Sequence, residues 1–334
     1  MAINLLVYYN AETGEAATGR IDQLGNHQFL QRYADFARGW TQIAATKDCL
    51  FYYNATTNEA ATAQIDTAGN HQFLQRFAIA AAWTHIAGTE DHLLLYNTTT
   101  GEAAIAVIDV AGTYTLLQRY TNFAQGWTNI AAIQNRLLYY NAATTELATA
   151  EIDAAGNHRF VNFYPQGITA NWTSLTSTQN QFLFYNVNEG GGATCSIDEV
   201  GNYVPLQTHP GLSRSWAQIA GTQRYVLYYS PSLGVGGTGE YFPDGQGRDL
   251  FAYSDFPVGW THATALKVET LITPEETVLN PIVDLIRPDD LLNLNLRLLN
   301  MQLDKRDRAY PTAYSSQSAA TVVSGGDVSA PNDC

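Results

Sequence analysis

Each of the six tryptophans in the chain is followed two residues later by a hydrogen-bonding side chain. An indole face can stack on the apolar face of a sugar ring, and a neighbouring polar group can bond a hydroxyl. The pattern therefore predicts several similar ligand-binding positions. The predicted binding residues are Trp40, Gln42, Trp83, His85, Trp127, Asn129, Trp172, Ser174, Trp216, Gln218, Trp260 and His262.

Structural interpretations compete with ligand binding at these positions. One large side chain per repeat can fill the space between neighbouring sheets, and this packing role is favoured for the tryptophans. The polar residue that follows can face solvent or a central channel, and that interpretation is favoured over a ligand contact.

Other residue types give no sign of catalysis or of a metal site. The aspartates of a recurring Ile-Asp-x-x-Gly motif are interpreted as turn residues, because a calcium loop supplies several oxygen ligands at close spacing. We find no Ser/His/Asp order and no glycine-rich phosphate loop followed by lysine. Cys49, Cys195 and Cys334 have unrelated spacings and are predicted to be free thiols. We therefore predict that the chain is not an enzyme and uses no cofactor or metal.

Charge excludes several classes of partner. Asp and Glu outnumber Lys and Arg by 31 to 17, which gives a net charge of −14, and the sequence contains no basic cluster. Nucleic acids and anionic membrane surfaces are therefore not expected partners. No apolar run is long enough to span a bilayer, and no basic segment precedes the first apolar residues. We expect a cytoplasmic protein, or one secreted without a signal peptide.

Internal repetition dominates the sequence. Successive tryptophans are 43, 44, 45, 44 and 44 residues apart, and the glycines of the Ile-Asp-x-x-Gly motif follow the same period. Each unit holds four short β patterns with turn residues between them, predicted in one unit at 83–87, 93–96, 102–109 and 114–120. Four-stranded meanders repeated at this period are typical of a β-propeller, with a linear solenoid as the second choice.

The phase of the repeat favours a closed ring. The chain starts with the second strand of a unit, at 5–9, and the repeat ends after Trp260-Thr261-His262-Ala263. Pairing the strand around Trp260 with residues 5–9 would complete one blade and remove a free sheet edge. The sequence therefore predicts an all-β, six-bladed β-propeller of four-stranded antiparallel blades over residues 1–266, plus a short C-terminal β extension.

The repeated motifs resemble those of tachylectin-type β-propeller lectins. The resemblance covers residues 1–266 and consists of Trp-Thr-x-Ile-Ala, Leu-Tyr-Tyr-Asn and a Gly that precedes Ile-Asp-x-x-Gly. It implies binding of N-acetylated sugars at several equivalent sites. We accordingly predict a multivalent carbohydrate-binding, lectin-like protein for neutral or N-acetylated glycans.

A non-catalytic structural or assembly module is the alternative function. Residues 267–310 are predicted to form a strand-forming extension, in which leucines alternate with polar residues from Leu292 to Leu298. One apolar strand face needs a covering surface, so we expect 278–303 to contact a second copy or a partner protein. Residues 311–334 are rich in Ser, Ala, Gly and Pro and are predicted to form a flexible tail.

Overall fold

The computed structural model describes residues 4–80, 82–168 and 171–266. Within them the chain forms six separate four-stranded sheets with antiparallel pairing between neighbouring strands. This arrangement confirms the predicted all-β fold with six blades. The predicted extension at 267–310, its contact segment at 278–303 and the predicted tail at 311–334 lie outside the described residues, so their roles stay predictions.

Each blade is a meander whose strands follow one another outward from the innermost strand. Blade 1 contains β24 (His262–Ala265), β1 (Asn4–Tyr9), β2 (Ala16–Ile21) and β3 (His27–Tyr33). Blade 2 contains β4 (Gln42–Ala45), β5 (Leu50–Asn54), β6 (Glu59–Ile65) and β7 (His71–Ala78). Blade 3 contains β8 (His85–Gly88), β9 (His92–Asn97), β10 (Glu102–Ile108) and β11 (Tyr114–Tyr120).

The other three blades follow the same plan. Blade 4 contains β12 (Asn129–Ile133), β13 (Arg136–Tyr140), β14 (Leu147–Ile152) and β15 (His158–Tyr164). Blade 5 contains β16 (Ser174–Ser177), β17 (Phe182–Asn186), β18 (Gly191–Ile197) and β19 (Tyr203–Pro210). Blade 6 contains β20 (Gln218–Gly221), β21 (Tyr225–Ser230), β22 (Val235–Tyr241) and β23 (Gly247–Tyr253). Among the described residues, no helix is long and apolar enough to cross a membrane.

Ring closure occurs at the strand pair predicted from the repeat phase. The last described strand, β24, pairs with β1 in the register Tyr8 to Ala263 and Leu6 to Ala265. Blade 1 therefore combines the two ends of the repeat, and its sheet gains an innermost strand that the N-terminal segment alone could not supply. Closure in this way pairs the edge of β1 that would otherwise be free.

The innermost strands begin two residues later than the sequence predicted. In blade 3 the first strand starts at His85, whereas the prediction started it at Trp83. The tryptophan does not join the sheet because its backbone N–H donates to the hydroxyl of Tyr53 in the preceding blade, at 3.2 Å. Each of the five other tryptophans makes the same bond with a tyrosine of the blade before it.

The core lies between neighbouring blades. The first of the aromatic clusters contains Trp40, Tyr9, Tyr52 and Phe36, and it joins blade 1 to blade 2. The third strand of each blade offers small side chains to this layer. In blade 6 a Cβ added at Gly237 would lie 3.7 Å from the Trp216 ring, which shows how closely the indole packs on this strand. Small residues there leave room for one tryptophan per blade.

Candidate functional site

The polar residues that follow the tryptophans lie at one end of the central channel. Each of them is the first residue of an innermost strand, and each is half-buried. The structure therefore brings all six into a ring at one channel mouth. Their positions are Gln42, His85, Asn129, Ser174, Gln218 and His262.

Three members of this ring bond the backbone of the next blade. His85 Nε2 donates to the Thr128 carbonyl at 3.0 Å, and Gln218 Nε2 donates to the Trp260 carbonyl at 2.8 Å. His262 Nε2 donates to the Thr41 carbonyl at 3.1 Å, across the closure of the ring. Burial lowers the pKa of His85 and of His262 from the ordinary value, so both rings stay neutral at neutral pH. These contacts hold adjacent blades together.

The tryptophans are core residues in this structure. Five of them are buried, namely Trp40, Trp83, Trp127, Trp172 and Trp260, and Trp216 is half-buried. Four buried indole N–H groups have no hydrogen-bond partner: those of Trp40, Trp127, Trp172 and Trp260. Their burial favours the packing interpretation, because a sugar could stack on these rings only after the surrounding side chains moved. A ligand-binding role for the tryptophans and their polar followers stays a prediction.

The opposite end of the channel is built from the turns between first and second strands. These turns come at equivalent places in the repeat but differ in charge from blade to blade. Blade 2 supplies Lys47 and Asp48, blade 3 supplies Glu90, and the next three blades supply Gln134, Gln179 and Gln223. Together they line a cavity of about 310 Å³. We call this cavity the turn cavity.

The innermost strands lie close together along the channel next to the turn cavity. A second cavity of about 220 Å³ lies along these strands and shares Ala132 with the turn cavity. A Cβ at Gly88 would lie 1.9 Å from the Ala45 carbonyl oxygen, and one at Gly221 would lie 2.2 Å from the Ser177 oxygen. Glycine is therefore required at these two positions for the strands to lie so close around the channel.

Hydrogen bonds fix the turns relative to one another. The Lys47 N–H donates to the Glu90 carbonyl at 2.9 Å, and the Glu90 N–H donates to the Gln134 carbonyl at 3.0 Å. On the other side, the Gln179 N–H donates to the Gln223 carbonyl at 2.8 Å. Backbone bonds between blades thus hold the side chains around the turn cavity in fixed relative positions.

One ion pair spans two blades at the turn cavity. Lys47 Nζ lies 2.6 Å from Asp91 Oδ1, with both side chains about half-exposed. This hydrogen bond and the charge of Asp91 raise the pKa of Lys47, so the ammonium stays protonated. An ammonium has three donors, and the bond to Asp91 uses one of them. No ion pair found among the described residues involves Asp48 or Glu90.

The turn cavity was missed in the sequence analysis. The turns at Lys47-Asp48 and Glu90-Asp91 carry charged side chains where the equivalent turn of blade 4 carries Gln134-Asn135. The signal was a short polar turn that follows the innermost strand at a constant place in the repeat, with a charge that changes between repeats. It was overlooked because these residues are far apart along the chain and only ring closure brings them together.

The aspartates of the repeat motif are turn residues. Asp66 Oδ1 accepts the N–H groups of Ala68 and Asn70 at 2.9 and 2.8 Å, and Gly69 has a φ of 86°. The side-chain bond from Asn70 is the largest of the hydrogen bonds that lower the pKa of Asp66. Within the described part of the chain, no group of three or more His, Cys, Asp and Glu residues is arranged to hold a metal ion. Cys49 and Cys195 are buried free thiols, and Cys334 lies outside the described residues.

Comparison with known proteins gives the architecture but no family. No protein-family model matches the chain, and no curated protein matches its sequence, so the resemblance to tachylectin-type repeats is not confirmed. Among solved structures, a candidate 6-phosphogluconolactonase from Bacteroides uniformis has 14% identity and a TM-score of 0.52, with 76% of this chain and 83% of that chain covered. A second candidate 6-phosphogluconolactonase, from Bacteroides fragilis, has 10% identity, a TM-score of 0.53 and coverage of 80% and 98%.

A third similar structure is the periplasmic gluconolactonase of Pseudomonas aeruginosa. It has 13% identity and a TM-score of 0.50, with 80% of this chain and all of that chain covered. These neighbours correct two predictions made from the sequence. The similar propellers carry lactonase names. By this comparison the predicted lectin-like function, with its assembly-module alternative, is wrong. The prediction that the chain is not an enzyme is wrong for the same reason. At these identities the likeness itself establishes the shared fold.

Proposed function

We propose that this propeller is a hydrolase of sugar-acid lactones and that the turn cavity is its active site. One observation carries the proposal: the turn cavity places an ammonium, two carboxylates and three amides around one volume of about 310 Å³. The lactonase names of similar propellers support the reaction class, and the side chains around the cavity support the place. The cavity has about the size of a ligand pocket for a single sugar ring.

Lys47 would stabilise the charge that develops during the reaction. Attack of water on a lactone carbonyl turns the carbonyl oxygen into an oxyanion. The Lys47 ammonium stays protonated and keeps donors beyond the one given to Asp91. A donor of this kind, held in place before the reaction, stabilises the oxyanion more than the neutral lactone. The bond to Asp91 orients Lys47, so Asp91 is a positioning residue.

Asp48 or Glu90 would act as the general base. Both carboxylates line the turn cavity. Asp48 follows Lys47 directly in the sequence, and the Glu90 carbonyl accepts the backbone N–H of Lys47. The base removes a proton from the attacking water while the new carbon–oxygen bond forms. The tetrahedral intermediate then breaks its ring carbon–oxygen bond, and the leaving oxygen takes the proton back from the base. The product is a hydroxy acid, which releases one proton to solvent at neutral pH.

The three glutamines would bind the hydroxyl groups of the substrate. Gln134, Gln179 and Gln223 line the side of the cavity opposite the charged turns of blades 2 and 3. An amide both donates and accepts hydrogen bonds, as a hydroxyl does, so amides suit a polyhydroxylated ring without selecting a charge. We therefore place the lactone carbonyl toward Lys47 and the hydroxyls toward the glutamines.

Proton release during lactone opening gives a direct assay. The chain is mixed with glucono-δ-lactone or its γ-lactone in weak buffer, and acid production is followed at constant pH above the spontaneous rate. We expect Lys47→Met to lower kcat by about 10²- to 10³-fold, as for loss of an oxyanion donor. We expect either Asp48→Asn or Glu90→Gln to lower kcat by about 10²-fold or more, which identifies the base.

The chain offers a control far from the cavity. Asp35 is an exposed carboxylate in the loop between β3 and β4, and Asp35→Asn changes the charge by the same amount as Asp48→Asn. This variant should keep the wild-type rate. A wild-type chain that opens neither lactone faster than water alone would sink the proposal, as would full activity in Lys47→Met.

A further inference from the structure

The outer strands of blades 1, 2 and 3 carry an arginine at one register position, and blades 4, 5 and 6 carry other residues there. In blades 1, 2 and 3 an arginine pairs with a small residue of the third strand: Arg32 with Ala17, Arg76 with Ala61, and Arg119 with Ala104. The equivalent pair is Phe163 with Ala148 in blade 4, Thr208 with Ala193 in blade 5 and Ala252 with Gly237 in blade 6. The same register position thus changes from a cation to an aromatic ring in blade 4.

Two of these arginines lie over aromatic rings of their own surroundings. The Arg32 guanidinium lies 5.2 Å from the centre of the Phe29 ring, and the Arg76 guanidinium lies 5.4 Å from the centre of a Trp40 ring. Both distances are within the range for a cation–π interaction. Blades 1 and 2 therefore cover their outer aromatic clusters with a cation from the chain itself.

Blade 4 keeps the aromatic cluster without that cation. Phe160 occupies the place of Phe29, and its side chain is 37% exposed, while Phe163 is 55% exposed. Phe163 contacts Trp127 edge-on at 6.3 Å, and Phe160 lies 4.9 Å from Phe123. Two large aromatic rings are thus left open to solvent on one strand, where blades 1 and 2 place a guanidinium.

A cavity adjoins the exposed rings. It has a volume of about 340 Å³, and Phe160, Phe123, Tyr120 and His158 line it together with Thr121 and Asn122. The amide oxygen of Asn122 and the hydroxyl of Thr121 can accept hydrogen bonds from N–H groups. Burial lowers the pKa of His158 to about 4, so its imidazole is neutral at neutral pH and does not repel a cation.

We propose that this aromatic cradle, formed by Phe160, Phe163 and Phe123, binds the guanidinium of an arginine side chain in a partner peptide. Charge complementarity favours this occupant, because the chain carries a net charge of −14. The guanidinium is planar, and it stacks on aromatic faces while its N–H groups bond oxygen acceptors at the rim. The partner's guanidinium covers the aromatic rings of blade 4, as the Arg32 and Arg76 guanidinium groups cover aromatic rings in blades 1 and 2.

A small arginine derivative tests the cradle directly. N-acetyl-arginine amide carries one positive charge, and its binding to the whole chain is followed by NMR at the indole resonance of Trp127. We expect saturable binding in the millimolar range, because a single exposed cation–π contact is weak. N-acetyl-norleucine amide has a side chain of similar apolar length without charge, and we expect at least fivefold weaker binding. Equal binding of the two amides would overturn the proposal.

Substitution of Phe163 provides the second arm of the test. Phe163→Arg should place the chain's own guanidinium over the cluster, as in blades 1 and 2, and abolish binding of the arginine derivative. Phe163→Leu keeps an apolar side chain and should weaken binding at least threefold, which covers the case of a poorly folded Phe163→Arg. The control is Phe251→Arg, at a 40% exposed phenylalanine of blade 6. Undiminished binding by both Phe163 variants, or loss of binding in Phe251→Arg, would refute the assignment.

Discussion

Thr238 in blade 6 donates its hydroxyl to the carbonyl oxygen of Gly25 in blade 1, at 2.7 Å. The two residues are 213 positions apart along the chain and meet across the closure of the ring. Gly25 ends the Asp-x-x-Gly turn of blade 1, with a φ of 88°. A threonine in the third strand of the last blade thus holds the turn of the first.

The same bond recurs around the ring. Threonines of four other third strands donate to the glycine carbonyl of the following blade at 2.6 to 2.8 Å: Thr18 to Gly69, Thr62 to Gly112, Thr149 to Gly201 and Thr194 to Gly245. Blade 3 has Ile105 at this position, and its side chain lies near Gly156. The two most regular features of the repeat, the third strand and the Asp-x-x-Gly turn, are therefore joined between blades.

Loss of the bond at the ring closure should destabilise the propeller. Thr238→Val keeps the side-chain shape but leaves the buried Gly25 carbonyl without its donor, which costs about 1–3 kcal/mol. We expect a lower midpoint in urea unfolding. Thr115→Val, at an exposed threonine of β11, is the matched control and should change the midpoint little. Equal midpoints for Thr238→Val and the wild type would show that this bond does not contribute to closure.

The tyrosines at the ends of the second strands should matter through their hydroxyls. Tyr229 Oη accepts the Trp260 N–H at 3.2 Å and donates to the Pro257 carbonyl at 2.7 Å. Tyr229→Phe keeps the ring but leaves the Trp260 N–H without its acceptor and the Pro257 carbonyl without its donor. We therefore expect the free energy of unfolding to fall by about 1–3 kcal/mol. In a domain of this size the melting temperature should fall by about 2–4 °C for each kcal/mol.

Tyr253→Phe is a comparison for that variant, because it removes a hydroxyl that accepts only the His27 N–H at 2.7 Å. It should cost less than Tyr229→Phe in the same melting experiment. The reverse order would contradict the role given to Tyr229.

Three histidines should make the stability of the propeller depend on pH. Tyr8, Tyr52 and Tyr139 are hydrogen-bonded to His27, His71 and His158 at 2.8 to 3.0 Å. Burial lowers the pKa of each histidine from 6.5 to about 4. Between these values the unfolded chain takes up protons that the folded chain does not, so stability is lost as pH falls from about 6.5 to about 4. Each histidine contributes about 3 kcal/mol to this loss.

Blade 3 contains the control for the pH experiment. There Leu95 and Tyr114 stand in place of the tyrosine and histidine of blade 2. The double variant Tyr52→Leu with His71→Tyr transfers that pair to blade 2 and removes one buried histidine. We expect the fall in its unfolding free energy from pH 7 to pH 4 to be about 3 kcal/mol smaller than the fall in the wild type, because the contribution of His71 is removed. An unchanged pH dependence would show that His71 is not protonated on unfolding.

Local sequence signals determined the number of blades, the strand order and the place of closure. Alternating apolar residues, Asp-x-x-Gly turns and a constant period each depend on residues close together in the chain, and six copies reinforce the same pattern. The turn role of the aspartates could be predicted for the same reason. The start of each innermost strand could not, because the Trp83 N–H bonds Tyr53 of another blade.

Only the tertiary structure decided which residues meet at each end of the channel. The tryptophan motif was conspicuous in the sequence, but closure of the ring buries those indoles between blades. Lys47, Asp48, Glu90, Gln134, Gln179 and Gln223 come from five different blades. Each turn alone is an ordinary polar hairpin, and the cavity exists because inter-blade backbone bonds and closure between β1 and β24 bring five turns around one axis.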